Sequence, residues 1–184
     1  NKKSSKFVFP KKCPSCGSET VKEFNIITKK KDAVRRCTSE GYKCEKIAKE
    51  KLKHFVSKEA FNIDGLGKKI VENFWKLKLL KFPQDIFNLD FQKIEKLEGW
   101  GEQSIQNLKY SINEKKNISL ERLIYSLGIR HVGLENAKIL SKYFKSFSKF
   151  KGLTKDNNFD ELKSIDGIGE TQINSLISFF NNKD

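Results

Sequence analysis

The sequence is poor in the features that define several large classes of protein. It has no apolar run near the roughly 20 residues that a membrane-spanning helix requires, and no apolar segment typical of a secretion signal, so a membrane-spanning or secreted protein is not expected. It has 2 histidines, no Ser/His/Asp set and no carboxylate motif for Mg²⁺, so no catalytic residue is predicted. Methionine is absent and the chain starts at Asn1, which leads us to expect a piece of a longer protein.

Size and composition favour a small globular protein with a basic surface. The chain has 184 residues and a mass of 21.3 kDa, and 37% of its residues are hydrophobic, enough for one or two small domains. The formal net charge of +14 favours binding to nucleic acid or another anionic surface, although a compositional bias towards Lys, Asn, Ile and Phe would raise it too. The charge is uneven, since residues 1–53 carry +10 and residues 54–184 carry +4.

All four cysteines lie in residues 13–53, which we predict to form a small metal-binding module. Cys13 and Cys16 form a C-x2-C pair on a turn that contains Pro and Gly, and Cys37 and Cys44 complete the set. Four thiolates suit a tetrahedral structural Zn²⁺. Two disulfides or four unrelated buried thiols are the alternatives, and the absence of a secretion signal disfavours the disulfides.

The segments around the cysteines predict a short β hairpin. The β-prone segments Val21–Thr28 and Ala33–Arg36 flank a turn at Lys29–Asp32. Residues 1–12 are basic and aperiodic, and we interpret them as the exit strand or linker from a preceding domain. His54 is a weaker candidate for a metal ligand, because a lone His at the end of a helix is more often packed or solvated.

From residue 54 onward the chain repeats, which predicts a helical domain over residues 54–184. Each repeat contains a close pair of glycines or a variant of it, and the last glycines are 34, 32 and 36 residues apart. Apolar residues follow each last glycine with helical spacing, and helical stretches such as Leu120–Leu127 and Phe159–Ile165 precede the pairs. The fold class is therefore mainly α, with one small β-containing module. The four hairpins lie near residues 63–67, 97–101, 128–133 and 165–169, and linkers are predicted near 81–83, 115–118 and 151–158.

The glycine turns are candidate sites for phosphate groups. Glycine permits positive φ and leaves backbone N–H groups uncovered, and the helix that follows adds its own free N–H groups at the same place. Such a cradle binds the backbone of a nucleic acid without reading its bases. In the third turn His131 takes the place of the first glycine. The predicted phosphate-binding residues are Gly65, Gly67, Lys68, Lys69, Gly99, Gly101, Gly128, Arg130, His131, Gly133, Gly167 and Gly169.

The four hairpins are not expected to bind equally. Basic residues follow the first hairpin and lie within the third, whereas a glutamate opens the helix after the second and the fourth. These residues are Lys68 and Lys69, Arg130 and His131, and Glu102 and Glu170. A carboxylate at a helix N-terminus competes with an incoming phosphate. Hairpins one and three are therefore predicted to dominate the affinity for nucleic acid.

Three segments carry a resemblance to a known family. They are CPSCGS at 13–18, HFVSKEAFNIDGLG at 54–67 and SLGIRHVG at 126–133. In this order they resemble the C-terminal part of bacterial NAD-dependent DNA ligase, over essentially the whole chain. The resemblance implies that residues 1–12 leave an OB-fold domain, that the four cysteines bind structural Zn²⁺, and that four helix-hairpin-helix motifs contact minor-groove phosphates of nicked double-stranded DNA.

The same resemblance implies a role in replication and repair as a monomer in the bacterial cytoplasm, associated with the nucleoid. The family's adenylated lysine lies in a K-x-D-G motif, whereas the nearest sequence here has Asn62 at the lysine position. NAD, Mg²⁺ and the adenylation chemistry are therefore assigned to absent N-terminal domains, which this part would contact. The chain alone is expected to clamp DNA and to be inactive. It also lacks the family's terminal BRCT domain, and its loop between Cys37 and Cys44 is longer.

Two other functions are compatible with the residues. One is a non-enzymatic DNA-binding adaptor, either a split or decayed ligase relative or a module of another repair protein. The other is a protein-interaction scaffold with structural zinc only. A K-x-D-G domain encoded upstream in frame would favour the ligase over the adaptor, and a lack of salt-dependent DNA binding would favour the scaffold.

Overall fold

The computed structural model describes residues 8–25, 29–156 and 159–182. The chain divides into two compact units, with the division between Ala48 and Lys49. Parts of the predicted exit segment, the first β-prone segment and the last linker (residues 1–7, 26–28 and 157–158) lie outside the described residues. Within the described ranges, none of the helices has the length and apolar character needed to cross a membrane.

The first unit contains two short antiparallel ladders. Strands β1 (Thr20–Val21) and β4 (Arg36–Cys37) pair with Thr20 opposite Cys37, and β2 (Phe24–Asn25) pairs with β3 (Lys30–Lys31). The predicted turn at Lys29–Asp32 is wrong in position. Lys29 has a left-handed backbone (φ 52°), so pairing resumes at Lys30. The second predicted strand is shorter than expected, because the chain bends at Ala33 and Val34 before β4 begins.

Helices make up most of the remaining structure. In chain order they are α1 (Glu45–Phe55), α2 (Lys68–Lys76), α3 (Phe91–Ile94), α4 (Glu102–Glu114), α5 (Leu120–Ser126), α6 (Leu134–Phe144), α7 (Phe147–Asp156) and α8 (Glu170–Asn181), with 3-10 helices at Pro83–Asn88 and Phe159–Ser164. The linker predicted near 151–158 is wrong up to Asp156, because α7 continues through it. Burial of Phe150 and Leu153, at 0% and 4% exposure, stabilises α7 despite its polar composition.

The helices that follow the hairpins bury the same face, as the spacing predicts. In each, the residues four and seven positions after the last glycine are at most 6% exposed. These residues are Val71 and Phe74, Ile105 and Leu108, Ala137 and Leu140, and Ile173 and Leu176. The pattern ends early in α2, where Leu77 follows the last helical residue and is 44% exposed. Burial of each Val, Leu, Ile or Phe side chain among them stabilises the fold by about 1.5–3 kcal/mol relative to leaving it exposed.

The hairpins associate in two pairs. In the first hairpin pair (hairpins one and two), the Phe74 and Trp100 ring centroids are 5.4 Å apart, and the Asp64 N–H donates to the Ser111 hydroxyl at 2.8 Å. The second hairpin pair (hairpins three and four) shares an apolar core, which includes Ile124, Leu140, Phe150, Leu162 and Leu176. The repeat period of the sequence therefore produces two packed pairs of hairpins.

The two glycines of hairpin two are expected to respond differently to substitution. Gly99 has φ +82° and Gly101 has φ −85°, and a Cβ built on either would have no atom within 4 Å. Gly99→Ala should therefore lower the free energy of unfolding by about 1–2 kcal/mol, because only the first position needs a left-handed backbone. Gly101→Ser should leave it unchanged or raise it by up to about 1 kcal/mol, because Ser is a preferred N-cap residue. Urea denaturation measures both; equal losses would contradict this difference.

Candidate metal centre and nucleic-acid interface

The four cysteines come together in the first unit. Their sulfurs lie within 4.8 Å of one another, and none of the four is in a disulfide. Cys13 and Cys44 sulfurs are 4.0 Å apart, and Cys16 and Cys37 sulfurs are 3.5 Å apart. Four sulfurs around a tetrahedral zinc at about 2.3 Å would be about 3.8 Å apart. The donor set and its spacing therefore fit a metal ion such as zinc.

Local structure places each cysteine. The Gly17 N–H donates to the Cys13 carbonyl at 2.8 Å, which closes the turn that carries the C-x2-C pair. Cys37 ends strand β4, and its sulfur accepts a hydrogen bond from the Ser39 N–H at 3.4 Å. Cys44 is 1% exposed and directly precedes α1, whose positive N-terminal end favours a thiolate there. The cluster is thus built from one turn, the end of a strand and the start of a helix.

Two of the cysteine thiols differ widely in pKa. Hydrogen bonds with the Ser18 hydroxyl and backbone lower the pKa of Cys16 to about 6. The Ser39 N–H acts to lower the pKa of Cys37, but burial and the sulfurs of Cys16 and Cys13 outweigh it and raise that pKa to about 12. Because cysteines ligate metals as thiolates, a metal ion bound among them would displace the remaining protons.

Among the described residues, the metal-binding group contains the four cysteines and no histidine. His54, the weaker candidate from the sequence, is engaged elsewhere. Its Nε2 lies 2.7 Å from the Tyr125 carbonyl oxygen.

The four hairpin turns have the same backbone design. The middle apolar residue of each donates its N–H to the carbonyl three residues earlier, at 3.1–3.3 Å. The residue before it has positive φ: +89° at Gly65, +82° at Gly99, +58° at His131 and +84° at Gly167. His131 therefore takes the left-handed position of a glycine, as the sequence alignment of the repeats predicts. Gly128 (φ +62°) lies earlier, after α5, and packs against His54.

The second glycine of each turn is the N-cap of the following helix. Gly67, Gly101, Gly133 and Gly169 all have extended backbones, and each carbonyl accepts the first helical hydrogen bond. Neither φ nor a neighbouring atom requires glycine at the first three, because a Cβ there would meet nothing within 4 Å. Because the fold does not require glycine at these positions, its missing side chain is best explained by an external group that approaches the backbone closely. These positions are therefore the candidate contact points.

The N-termini differ in charge and in hydrogen bonding. Lys68 and Lys69 in hairpin one are exposed, and among the described residues neither has an ion-pair partner. In hairpins three and four the N-cap N–H is partly occupied, by the Asn136 side chain at 3.4 Å and the Gln172 side chain at 3.2 Å. In hairpin one the equivalent residue is Ile70, which has no acceptor. Hairpins three and four therefore have a side-chain acceptor at the N-cap N–H, whereas among the described residues no side chain accepts from the N-cap N–H of hairpin one or two, and only hairpin one adds two exposed lysines there.

Sequence reasoning missed Asn136 and Gln172. Both stand three residues after the N-cap glycine, where a side-chain amide or carboxylate commonly returns to the N-cap N–H. That position was a usable signal. Glu102 and Glu170, which the sequence did single out, are both exposed at the first helical position.

The repeated turns and helices define the class of protein. Residues 122–184, which contain hairpins three and four, match the family model described as a helix-hairpin-helix motif. With the short antiparallel strands and the four clustered cysteines, this match confirms the fold class predicted from the sequence.

The curated proteins most similar in sequence are bacterial DNA ligases. The chain is 64% identical over 180 residues to a DNA ligase of Pelagibacter ubique (strain HTCC1062), covering 98% of this chain and 27% of that protein. It is 43% identical over 190 residues to a DNA ligase of Parvibaculum lavamentivorans, covering 97% of this chain and 27% of that protein. A DNA ligase of Rhizobium meliloti is 42% identical over 189 residues. The chain spans about a quarter of the length of these curated relatives. The chain is thus similar to part of bacterial DNA ligases, and the resemblance found in the sequence is confirmed.

Proposed function

We propose that this chain is the DNA-clamping part of an NAD-dependent DNA ligase and binds the backbone of nicked duplex DNA without regard to base sequence. The observation that carries this proposal is the set of N-cap glycines at Gly67, Gly101 and Gly133, which the fold itself does not require. Together with the open N–H groups of their helices, they fit phosphate oxygens. Gly65, Gly99, His131 and Gly167 act by setting the turn, and Lys68, Lys69 and Arg130 add positive charge.

The cysteine cluster supports a structural Zn²⁺. All four positions are filled by cysteine, so no open coordination position is left for a substrate or a reactive water. Zinc would hold together a first unit whose strands are two residues each. The residues of this unit, 13–53 in the sequence-based division, thus serve as a metal-stabilised module that precedes a helix-hairpin-helix domain of residues 54–184 in the chain.

The whole protein would seal 5′-phosphate to 3′-hydroxyl nicks in replication and repair, through an enzyme adenylate and a DNA adenylate. Asn62 stands where the K-x-D-G motif has its lysine, so the adenylated lysine, NAD and Mg²⁺ belong to domains outside this chain. The protein would act as a monomer in the bacterial cytoplasm with the nucleoid. This chain contributes affinity and does no chemistry itself.

Duplex binding with a steep salt dependence is the expected result of the direct test. In a mobility-shift series on the zinc-loaded chain, affinity for nicked duplex should fall roughly 10³-fold between about 50 and 200 mM salt, since several phosphate contacts release counterions. Scrambling the base sequence should leave affinity unchanged. No binding, or binding insensitive to salt, would contradict the proposal.

Gly67→Ser is the variant that tests the phosphate contact without disturbing the fold. Serine suits the N-cap backbone at Gly67 (φ −64°, ψ 167°), so the fold should keep its stability. The added side chain would obstruct a phosphate, so affinity should fall severalfold. Unchanged affinity would remove the N-cap glycine from the binding surface.

A further inference from the structure

The two hairpin pairs are each stabilised by contacts of their own. The apolar cluster of the second pair runs from Ile124 to Leu176. The first pair is joined by the contact between the Phe74 and Trp100 rings, which are tilted by 32° to each other, and by the Asp64–Ser111 hydrogen bond. Internal packing of this kind fixes each pair but does not fix the angle between them. That angle depends on side chains that reach from one pair to the other.

His54 reaches from the last turn of α1 to the chain that enters hairpin three. Its Nε2 is 2.7 Å from the Tyr125 carbonyl oxygen, and the two rings have centroids 4.6 Å apart. Because a carbonyl only accepts, Nε2 carries the hydrogen. The ring lies against Gly128, whose φ of +62° favours glycine and where a built Cβ would lie 3.4 Å from His54 Cδ2.

Arg122 reaches in the opposite direction, from α5 to the turn that precedes hairpin one. Its Nε donates to the Ala60 carbonyl at 2.7 Å, and its Nη2 donates to the Lys58 carbonyl at 2.5 Å. The planar guanidinium thus engages two backbone acceptors of the turn with its fixed fork of donors. Both crossing side chains bind backbone carbonyls and so hold main chain to main chain.

We propose that His54 and Arg122 are positioning residues that lock the two hairpin pairs into one orientation, so that both pairs engage the same duplex. The proposal rests on the proposed function for its DNA consequence, but the orientation itself is a property of the chain alone. When the two hairpin pairs are held in a fixed orientation, they bind the duplex as one bivalent site. Once one pair is bound, the other is held near the DNA at high effective concentration. Neither residue needs to touch DNA.

The orientation is tested without DNA on the full zinc-loaded chain. Residual dipolar couplings of backbone amides report whether the two pairs share one alignment tensor. The variant is His54→Leu with Arg122→Lys, which removes the His54 donor and replaces the planar fork of donors at Arg122 by a single flexible ammonium of the same charge. We expect one tensor for the unsubstituted chain and two distinct tensors for the variant. His54→Gln with Arg122→Lys retains a donor for the Tyr125 carbonyl and should recover part of the shared alignment.

The consequence for binding is tested with two duplex lengths, about 10 and about 20 base pairs, or one and two helical turns. The variant should bind the longer duplex about tenfold more weakly than the unsubstituted chain, because the second contact loses its effective concentration. Its affinity for the shorter duplex should stay within about twofold, because each pair keeps its own hairpins.

Three outcomes decide between the positioning role of His54 and Arg122, a purely structural role, and failure of the proposed DNA binding. A single shared tensor in the variant would overturn the positioning role. Equal weakening on both duplexes, with a lowered unfolding temperature, would show that the two residues only stabilise the fold, and would overturn it as well. If the unsubstituted chain binds neither duplex, the proposed function fails, while the tensor comparison still decides the orientation.

Discussion

Replacing Cys44 with serine is expected to abolish metal binding and unfold the first unit. Cys44 is 1% exposed and belongs to a cluster whose sulfurs lie within 4.8 Å of one another, and the four short strands have little other core. Structural zinc contributes about 10 kcal/mol or more of apparent binding free energy, all of which supports folding. Zinc content should drop from about one to near zero per chain. Elemental analysis and backbone amide spectra measure both effects.

Ser39→Ala is the matched control, because the backbone N–H that reaches the Cys37 sulfur is retained. It should bind zinc normally. A chelator should reproduce the Cys44→Ser spectrum, with loss of signals from residues 8–25 and 29–44, while helices α2 to α8 keep theirs because they have their own core. A fully dispersed first unit in zinc-free Cys44→Ser would refute a structural metal.

Replacing Lys68 and Lys69 with alanine is expected to weaken DNA binding by about tenfold and to lower the log–log salt slope by about 2. Both side chains are exposed at the start of α2, next to an N-cap N–H from which no described side chain accepts. Replacing Glu102 and Glu170 with alanine should instead strengthen binding severalfold, since each carboxylate occupies a helix N-terminus that would otherwise attract phosphate. Salt-titrated mobility shifts on one nicked duplex give the salt slope and the affinity of the unsubstituted chain and of both variants.

A second lysine pair separates local contact from overall charge. Lys116 and Lys142 are exposed at the C-terminal ends of α4 and α6, away from the hairpin turns, and their removal lowers the net charge by the same amount. Lys116→Ala with Lys142→Ala should change affinity by less than about threefold. Equal losses from both lysine pairs would mean that charge alone governs binding and that hairpin one has no special part.

The repeats and the cysteines were predictable from the sequence because their signals are local. A glycine pair followed by apolar residues at positions +4 and +7 specifies a turn and the buried face of one helix. The C-x2-C spacing likewise places Cys13 and Cys16 on one turn. The third hairpin was predictable although it has no glycine at the first position of the pair, because His131 lies at the same place in the repeat. Its φ of +58° is left-handed, like that of the glycines in the other three turns.

Other features depend on tertiary contacts that no short window contains. The segment Lys151–Asp156 reads as a linker by composition, yet it is helical because Phe150 and Leu153 beside it are buried. Arg122 gave no signal, because its acceptors are carbonyls about 60 residues earlier, at Lys58 and Ala60. The predicted strand boundaries were also wrong, because the position of a two-residue ladder depends more on the turn at Lys29 than on β propensity.

The core of the second hairpin pair has a consequence for how the chain folds. Its members all lie within one stretch of the chain, from Ile124 to Leu176. Their contacts therefore close short loops and cost little chain entropy. This stretch is a natural unit of cooperative folding and of local opening. A ribosome releasing the chain would let each hairpin pair assemble in its turn, and the histidine and arginine contacts would then join two preformed halves.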